Sequence, residues 1–539
     1  MAYKQIRIIK ELNKEVADTN NPVEAADKDA ISKIWAFHLK KYNGVEIKTE
    51  KEKRKMDEAL LLKKGGRIRE ILTWEVAVEE LKKLSFVAAP FVAVALSQYL
   101  LQVVSMMMAG HLGELALSGV AIATAFCNVT GFSLLWGLSG GLETLNGQAY
   151  GAKQYQKLGS YTYCAMICAL TICLPVCRFW MYMDKLLVLI GQDPQVAEIA
   201  YSYAMWLIPA LFAYAILQSQ IRFLQSQSLV LPMLYISLAT LCFHVSVCWV
   251  LVFKSGLGYT GAALAISVSY WYNMILLGLY IRYSSSCEKT RSLHLKDVFM
   301  SVGEFLRFAV PSAVMACLEW WSFEILVLMS GLLPNSKLET SVLSIWYEFN
   351  FSSDSLHYNI PLGISVAAST RISNELGAGN PQAAQVTTFV SVLLTLVETL
   401  IASAILFCCR HVYGYAYSSE SEVVLKVTQI LPLVCLSLIT DGLHAVACGI
   451  VRGIGWQHVG AYANLAAYYL AGIPAGILCG FVLKLRGEGL WVGMLVGSSV
   501  QALLLAILIA FADWKKQAIK ARDRIFLGTS AADTAFQSE

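Results

Sequence analysis

Twelve apolar runs, each about as long as a bilayer is thick, leave this chain few ways to fold. They fall at 84–109, 115–141, 158–182, 196–222, 229–253, 261–283, 305–333, 340–370, 385–409, 425–451, 458–483 and 489–512. A helix needs about 20 apolar residues to cross the hydrocarbon core. No water is available there, so every backbone N–H and C=O must be paired within the segment, which a helix does by itself. The expected fold is therefore an all-α integral membrane protein of twelve transmembrane helices. Composition agrees: 15% of the 539 residues are charged and 57% are hydrophobic, whereas a soluble domain carries about 25% charge.

Charge is concentrated at the ends of the chain. Residues 1–83 hold 19 of the 42 Lys+Arg and 15 of the 38 Asp+Glu, so the net +4 belongs to this tail and the remaining residues balance. That pattern does not indicate a nucleic-acid partner. The tail has no secretory leader pattern, and Asp57–Leu62 has the spacing of an acidic dileucine sorting signal. Lys153, Lys157, Arg282, Arg371 and Arg452 fall in loops on the tail side, as do the basic residues of 515–524. The positive-inside rule then places both termini in the cytoplasm. The expected divisions are a cytoplasmic tail at 1–83, a six-helix lobe at 84–283, a cytoplasmic linker at 284–303, a second six-helix lobe at 304–512 and a C-terminal tail at 513–539. The 14 cysteines lie mainly in apolar runs without a CxxC spacing, so no disulfide framework or metal site is expected.

The two lobes share a repeat. Shifting residues 137–156 by 226 positions gives six identities in twenty: Gly137/Gly363, Ser139/Ser365, Thr144/Thr370, Gly151/Gly377, Ala152/Ala378 and Gln156/Gln382. Pro90 and Pro311 echo it near the start of each lobe. With six spans per half, the copies run in the same direction across the membrane. In transporters, parallel repeats of this kind are related by an axis along the membrane normal. Small residues and Ser/Thr at these helix ends permit close helix packing.

Two carboxylates lie well inside apolar runs. Glu319 stands near the middle of Glu304–Pro334, and Asp441 in the tenth run. A charge in the hydrocarbon costs several kcal/mol, so such residues usually face a cavity and serve ion or substrate movement. A buried pair of like charges resists joint ionisation and can share one proton. Glu324 is five residues beyond Glu319, which turns it about 140° away on a helix; it is a lesser candidate. Trp320 and Trp321, beside Glu319, could stack on planar or cationic substrates. Glu143 is expected as a polar contact of the first lobe, and Glu398 as structural. Gly256–Gly261 matches GxGxxG but joins two membrane runs without a strand, so it is a turn. The histidines form no HxxxH cluster, and no Walker loop points to ATP.

Several strings in the chain resemble those of the multidrug and toxic compound extrusion family, in its plant DETOXIFICATION type. They are GHLGELAL (110–117), TLNGQAYGAKQYQKLG (144–159), LVLIGQDPQ (187–195), CWVLVFKSGLG (248–258), CLEWWSFE (317–324), AASTRISNELGAGNPQAA (367–384) and ARDR (521–524), and the likeness covers about residues 60–526. The resemblance implies two six-helix bundles about a pseudo-twofold axis, with a central cavity and export of organic compounds in exchange for protons. It also implies that Glu319 and Asp441 are the protonatable carboxylates of the second lobe. On this reading the protein is not an enzyme and needs no cofactor beyond the coupling proton. It acts as a monomer in a vacuolar or plasma membrane on an organic small-molecule substrate. The chain departs from the family pattern at residues 1–55, which have no recognised counterpart, and at WYEFNFSSDSLHYN (346–359), which adds Glu348 and Asp354. It also carries Ile266 and Glu143 where the pattern suggests Asn and Asp. A lipid-linked sugar flippase of related topology and a transport-inactive variant are the alternatives.

Overall fold

The computed structural model describes residues 73–330, 336–413 and 421–536, without the side chains of 327, 328, 330, 336–356, 421–427, 430 and 527–536. Most of the N-terminal tail, its dileucine motif, and the side chains of Glu348 and Asp354 lie outside the described residues. The rest is almost entirely helical. The long helices are α1 Trp74–Gly110, α2 Glu114–Gly151, α3 Tyr155–Trp180, α4 Pro194–Ser226, α5 Val230–Phe253 and α6 Tyr259–Tyr283. After the linker come α7 Val302–Ser330, α8 Ser336–Gly377, α9 Pro381–Cys408, α10 Ser421–Ile454, α11 Gln457–Val482, α12 Arg486–Ala510 and α13 Trp514–Phe536. Among the described residues, ten of these helices are long and apolar enough to cross a membrane: α1 to α6 and α9 to α12. The other two expected spans, α7 and α8, are helices of 29 and 42 residues.

Local chemistry sets most of the boundaries. Helix α1 starts ten residues before its apolar run because Thr73 caps it, its hydroxyl accepting from the Val76 N–H at 3.4 Å. Asp193 and Pro194 do the same for α4, the carboxylate accepting from Gln195 N–H at 2.8 Å with proline in the first turn. Arg291 closes α6 from the linker, its guanidinium donating to the carbonyls of Ile281 and Ser284 at 3.3 and 3.1 Å. The linker itself holds a short helix, Leu295–Met300. Two helices depart from simple α geometry. Helix α2 widens to π turns at Asn128–Phe132, and α11 does so at Leu465–Gly472 and Leu478–Val482. Hydropathy carries no signal for such turns.

The C-terminal segment, expected as a tail, is the helix α13. It packs on α2, α8 and α9 and so touches both halves of the chain. Arg524 donates to Gln148 Oε1 at 2.5 Å and its guanidinium lies 4.5 Å from the Phe308 ring centre. Lys157 donates to the Ile525 carbonyl.

Between the halves, the main contacts come in equivalent pairs. Helix α1 packs on α8, and α7 packs on α2. The repeat residues meet where α2 and α8 end. A Cβ added at Gly151 would lie 1.9 Å from the Asn374 carbonyl oxygen, and one at Gly377 would lie 2.1 Å from the Gln148 carbonyl oxygen. Gln148 and Asn374 are themselves related by the 226-residue shift, so the contact is self-complementary. Gly137 admits the backbone of α7 at Ala313, and Gly363 faces α1, with the Val92 side chain nearest and the Ala88 carbonyl oxygen 3.1 Å from an added Cβ. The two repeat threonines behave alike: Thr370 accepts from Gln225 Nε2 at 3.2 Å, and Thr144 accepts from Gln457 Nε2 at 2.5 Å. In each case the amide comes from the end of the fourth helix of the other half or just beyond it. These glycines and threonines lie where helices of the two halves approach most closely.

One consequence is testable. Backbone cannot swing aside as a side-chain tip can, so Gly151→Ala must push α2 and α8 apart. Overpacking of this kind costs roughly 1–3 kcal/mol. Gly191→Ala is a different control, since nothing lies within 4 Å of its added Cβ although its φ of 92° adds local strain. Thermal unfolding in detergent should lower the midpoint for Gly151→Ala by several degrees; an unchanged midpoint would contradict the close approach.

Candidate intramembrane site

Three titratable side chains converge between α7 and α10. His444 Nε2 lies 3.1 Å from Glu319 Oε1, and its Nδ1 lies 3.6 Å from Asp441 Oδ1. The histidine side chain is 2% exposed and the two carboxylates 13% and 12%. Asp441 and His444 are three apart on α10, which places both on the side facing α7. Helix α11 adds Asn464, immediately before its π turns, whose amide reaches the Met315 carbonyl at 2.8 Å and Glu319 Oε2 at 3.5 Å. Gln501 of α12 donates to Asn464 Oδ1 at 2.7 Å. Tyr358 closes the group from α8, its ring 6.2 Å from that of His444. Each oxygen of Glu319 thus faces a different donor, and the imidazole lies between the two carboxylates, hydrogen-bonded to Glu319 and 3.6 Å from Asp441.

The chemistry follows from the count of protons. With both carboxylates ionised, a doubly protonated imidazole offers an N–H to each. Removing that proton leaves one nitrogen lone pair facing a carboxylate, which is tolerable only if a carboxyl group is protonated instead or a cation enters. Burial makes the unpaired arrangement expensive. The cluster can therefore store one proton and exchange it for another positive charge. Among the described residues no group of three metal-ligating side chains is arranged to hold a metal ion.

A second charged group lies about two turns further along α10. Glu143 of α2 is enclosed by Arg222 of α4 and Arg452 of α10, with Oε1 2.8 Å from Arg222 Nη1 and Oε2 3.2 Å from Arg452 Nε. All three are buried, and both guanidiniums lie over Trp136, 5.6 and 5.3 Å from its ring centre. Arg452 also donates to Ser365 Oγ at 3.3 Å. The groups share a boundary, because Trp136, Glu319, Tyr358, Cys448 and Arg452 line one small cavity with room for about a single water molecule.

The other expected site residues are placed elsewhere. Glu324 is half-buried and stands apart from the Glu319 group, as its angle on the helix requires. Trp320 and Trp321 are 45% and 42% exposed and do not line the cavity; the indole N–H of Trp321 donates to the Val129 carbonyl on α2 at 3.0 Å. The aromatic walls are Trp136 and Tyr358 instead. Consecutive positions on a helix point about 100° apart, so the neighbours of an inward residue face outward. Glu398 pairs with His357 at 2.9 Å, a structural contact. The structure adds His444 and Arg452 to the site. Their signal is the spacing Asp441–His444–Cys448–Arg452, a polar stripe at helical period inside an apolar run.

The comparisons with known proteins meet this architecture. The MatE family model matches residues 90–250 and again 311–478, once in each half. The chain belongs to the MatE family. It is 55% identical to Protein DETOXIFICATION 3 and 54% to Protein DETOXIFICATION 14, both of Arabidopsis thaliana. These alignments cover 84% and 83% of this chain and 95% and 92% of the relatives. The crystal structure of the eukaryotic MATE transporter AtDTX14 superposes with a TM-score of 0.80 at 54% identity, over 84% of this chain and all of that one. A Vibrio cholerae MATE transporter, 17% identical, shares the fold with a TM-score of 0.72, over 82% of this chain and all of that one. As a member of this family the chain is a multi-pass membrane transporter of small molecules, not an enzyme.

Proposed function

We propose that this MatE transporter exports organic solutes from the cytoplasm in exchange for protons. The observation that carries the reading is that Glu319 and Asp441, from two helices of the second half, flank one buried histidine at 3.1 and 3.6 Å. All twelve helices α1 to α12 span the membrane, as two six-helix bundles about the pseudo-twofold axis that the paired Gly151 and Gly377 contacts suggest. Both termini lie in the cytoplasm, and the protein acts as a monomer in the vacuolar or plasma membrane. The coupling ion is the proton, and no other cofactor takes part.

In this cycle the deprotonated Glu319–His444–Asp441 group attracts substrate from the cytoplasmic side. After the halves rock, a proton from the acidic compartment neutralises the surplus charge and substrate leaves. The proton-loaded carrier then returns. Burial supports the exchange: the site tolerates one positive charge, from a proton or a substrate, far better than none. The flippase alternative would be favoured by a strongly basic cavity, and here Glu143, Glu319 and Asp441 stand against Arg222, Arg452 and His444, with one glutamate and one arginine on the cavity wall.

The reading is tested by uptake into inverted vesicles with an acid interior, using a fluorescent organic cation and a flavonoid glycoside. Accumulation should stop when an ionophore collapses the proton gradient. Accumulation that persists without the gradient would overturn proton coupling.

A further inference from the structure

The first helices of the two halves carry matching carboxylates. Glu80 lies in the second turn of α1 and Glu304 in the first turn of α7. Each reaches into the other half. Arg371 of α8 grips Glu80 with two N–H groups, Nε at 3.0 Å and Nη2 at 2.8 Å, and the Thr387 hydroxyl of α9 donates to the same carboxylate at 2.6 Å. Glu304 accepts from the Tyr161 hydroxyl of α3 at 2.7 Å. Tyr161 and Thr387 are related by the same 226-residue shift as the repeat, so the two halves exchange equivalent hydrogen bonds. The equivalence fails at one position. The shift carries Arg371 onto Leu145, and α2 therefore has no arginine to offer Glu304. Positive charge comes instead from Arg524 of α13 and Lys157 of α3, both of which act electrostatically on Glu304. Arg524 is held there by Gln148 of α2 and by the Phe308 ring of α7, one from each half. Two turns back on α13, Gln517 accepts from the Trp456 indole N–H at 3.2 Å.

We propose that Glu80 and Glu304 are paired gating residues that clamp the halves together where α2 and α8 end, and that α13 completes the second clamp with Arg524 in place of the arginine the first half lacks. The proposal rests on the exporter reading above, in which the halves rock and this side faces the cytoplasm. To open there, α1 must leave α8 and α9 while α7 leaves α3. Glu80 then gives up a two-point arginine contact, stronger than a neutral hydrogen bond, and Glu304 gives up its tyrosine. Helix α13 must release one half as well, because Arg524 touches both. The clamps thus set how much of the carrier is open on this side, and weakening either one raises that fraction.

The test is hydrogen–deuterium exchange of the full chain in nanodiscs, with no substrate and no pH difference. Opening is read at the packed helix ends 137–151 and 363–377. Residues 230–253 of α5, whose main contacts are within the first half, serve as the control. Glu80→Gln should speed exchange at both ends by about tenfold, the worth of one charge-assisted hydrogen bond. Arg524→Gln should speed it by about threefold, as for a partly screened charge. The two effects should multiply in the double variant, since the clamps share no residue. Should either variant fail to fold, Thr387→Val and Tyr161→Phe each remove one hydrogen bond from a clamp and leave every charge in place, with faster exchange at the same ends expected. Wild-type exchange at both ends in the folded variants, or a rise that extends equally to 230–253, overturns the proposal. Failure of the exporter reading looks different. Gradient-independent uptake sinks proton coupling while leaving the exchange result intact, whereas unchanged exchange with proton-driven uptake sinks only the clamps.

Discussion

Glu319→Gln protein that is inserted at wild-type levels should show no proton-driven uptake of either test substrate. Glutamine has the size and shape of a protonated glutamic acid and cannot lose a proton. Its carbonyl can accept from His444 Nε2 at the position now 3.1 Å from the carboxylate, so the packing of α7 against α10 survives. What disappears is the negative charge that draws either a proton or a cationic substrate into a desolvated site, and with it the exchange. The expected loss is complete rather than partial, because Asp441 alone reaches only the other face of the imidazole, at 3.6 Å. Asp441→Asn should lose most of the transport for a related reason: one carboxylate then holds the imidazolium permanently. The measurement is uptake under an imposed pH difference, normalised to the folded protein found by size-exclusion chromatography. Wild-type uptake by a folded Glu319→Gln protein would remove this residue from the mechanism.

The sequence makes the membrane fold legible because the bilayer imposes a single length and a single polarity on every span. It yields the repeat for a physical reason too: Gly151 and Gly377 must each admit the other helix's backbone, so neither position can carry a side chain. Glu319 and Asp441 are legible because charge in an apolar run is costly. The rest of the site is not. The stripe Asp441–His444–Cys448–Arg452 marks one side of α10, but that His444 meets Glu319 is visible only once α7 and α10 are brought together, since no spacing in the chain connects residue 319 with residue 444. Trp320 and Trp321 are attractive in sequence by adjacency, yet helical rotation turns both away from the cavity, and the stacking walls come from Trp136 and Tyr358, far off in the chain. Glu143 reads as an ordinary polar residue near a helix end, because its two arginine partners arrive from α4 and α10. The C-terminal helix was hidden differently: a basic amphipathic segment reads as a solvated tail until its contacts with α2, α8 and α9 are known.

The largest effect on stability should come from Glu143, and the reason separates it from other ion pairs in the protein. Lys83 and Glu79, at 2.7 Å, are 49% and 67% exposed. Such a surface pair contributes about 0–1 kcal/mol, since water screens it and both side chains lose freedom. Glu143 is fully enclosed, 0% exposed at its side chain, and faces two guanidiniums exposed by only 2% and 8%. Glu143→Ala leaves two buried cations together with no counter-charge, and removing one partner of a buried pair typically costs about 3–5 kcal/mol. Repulsion between the arginines acts in the same direction. A charge-balanced variant distinguishes this electrostatic cost from a simple cavity. Glu143→Gln together with Arg222→Gln leaves a single cation, and should recover a substantial part of the loss, because contacting residues are not additive. Thermal unfolding of the single and double variants in the same detergent decides it. A double variant less stable than Glu143→Gln alone would mean that Arg222 is held by its packing against Trp136 rather than by the charge of Glu143. An Ala variant as stable as the wild type would show that the triad adds nothing to the fold. If the charge argument holds, the cost of keeping Arg452 buried is met by a glutamate on the opposite half. The two halves are then bound to one another by the same group that lines the cavity, and opening that cavity must weaken the pair.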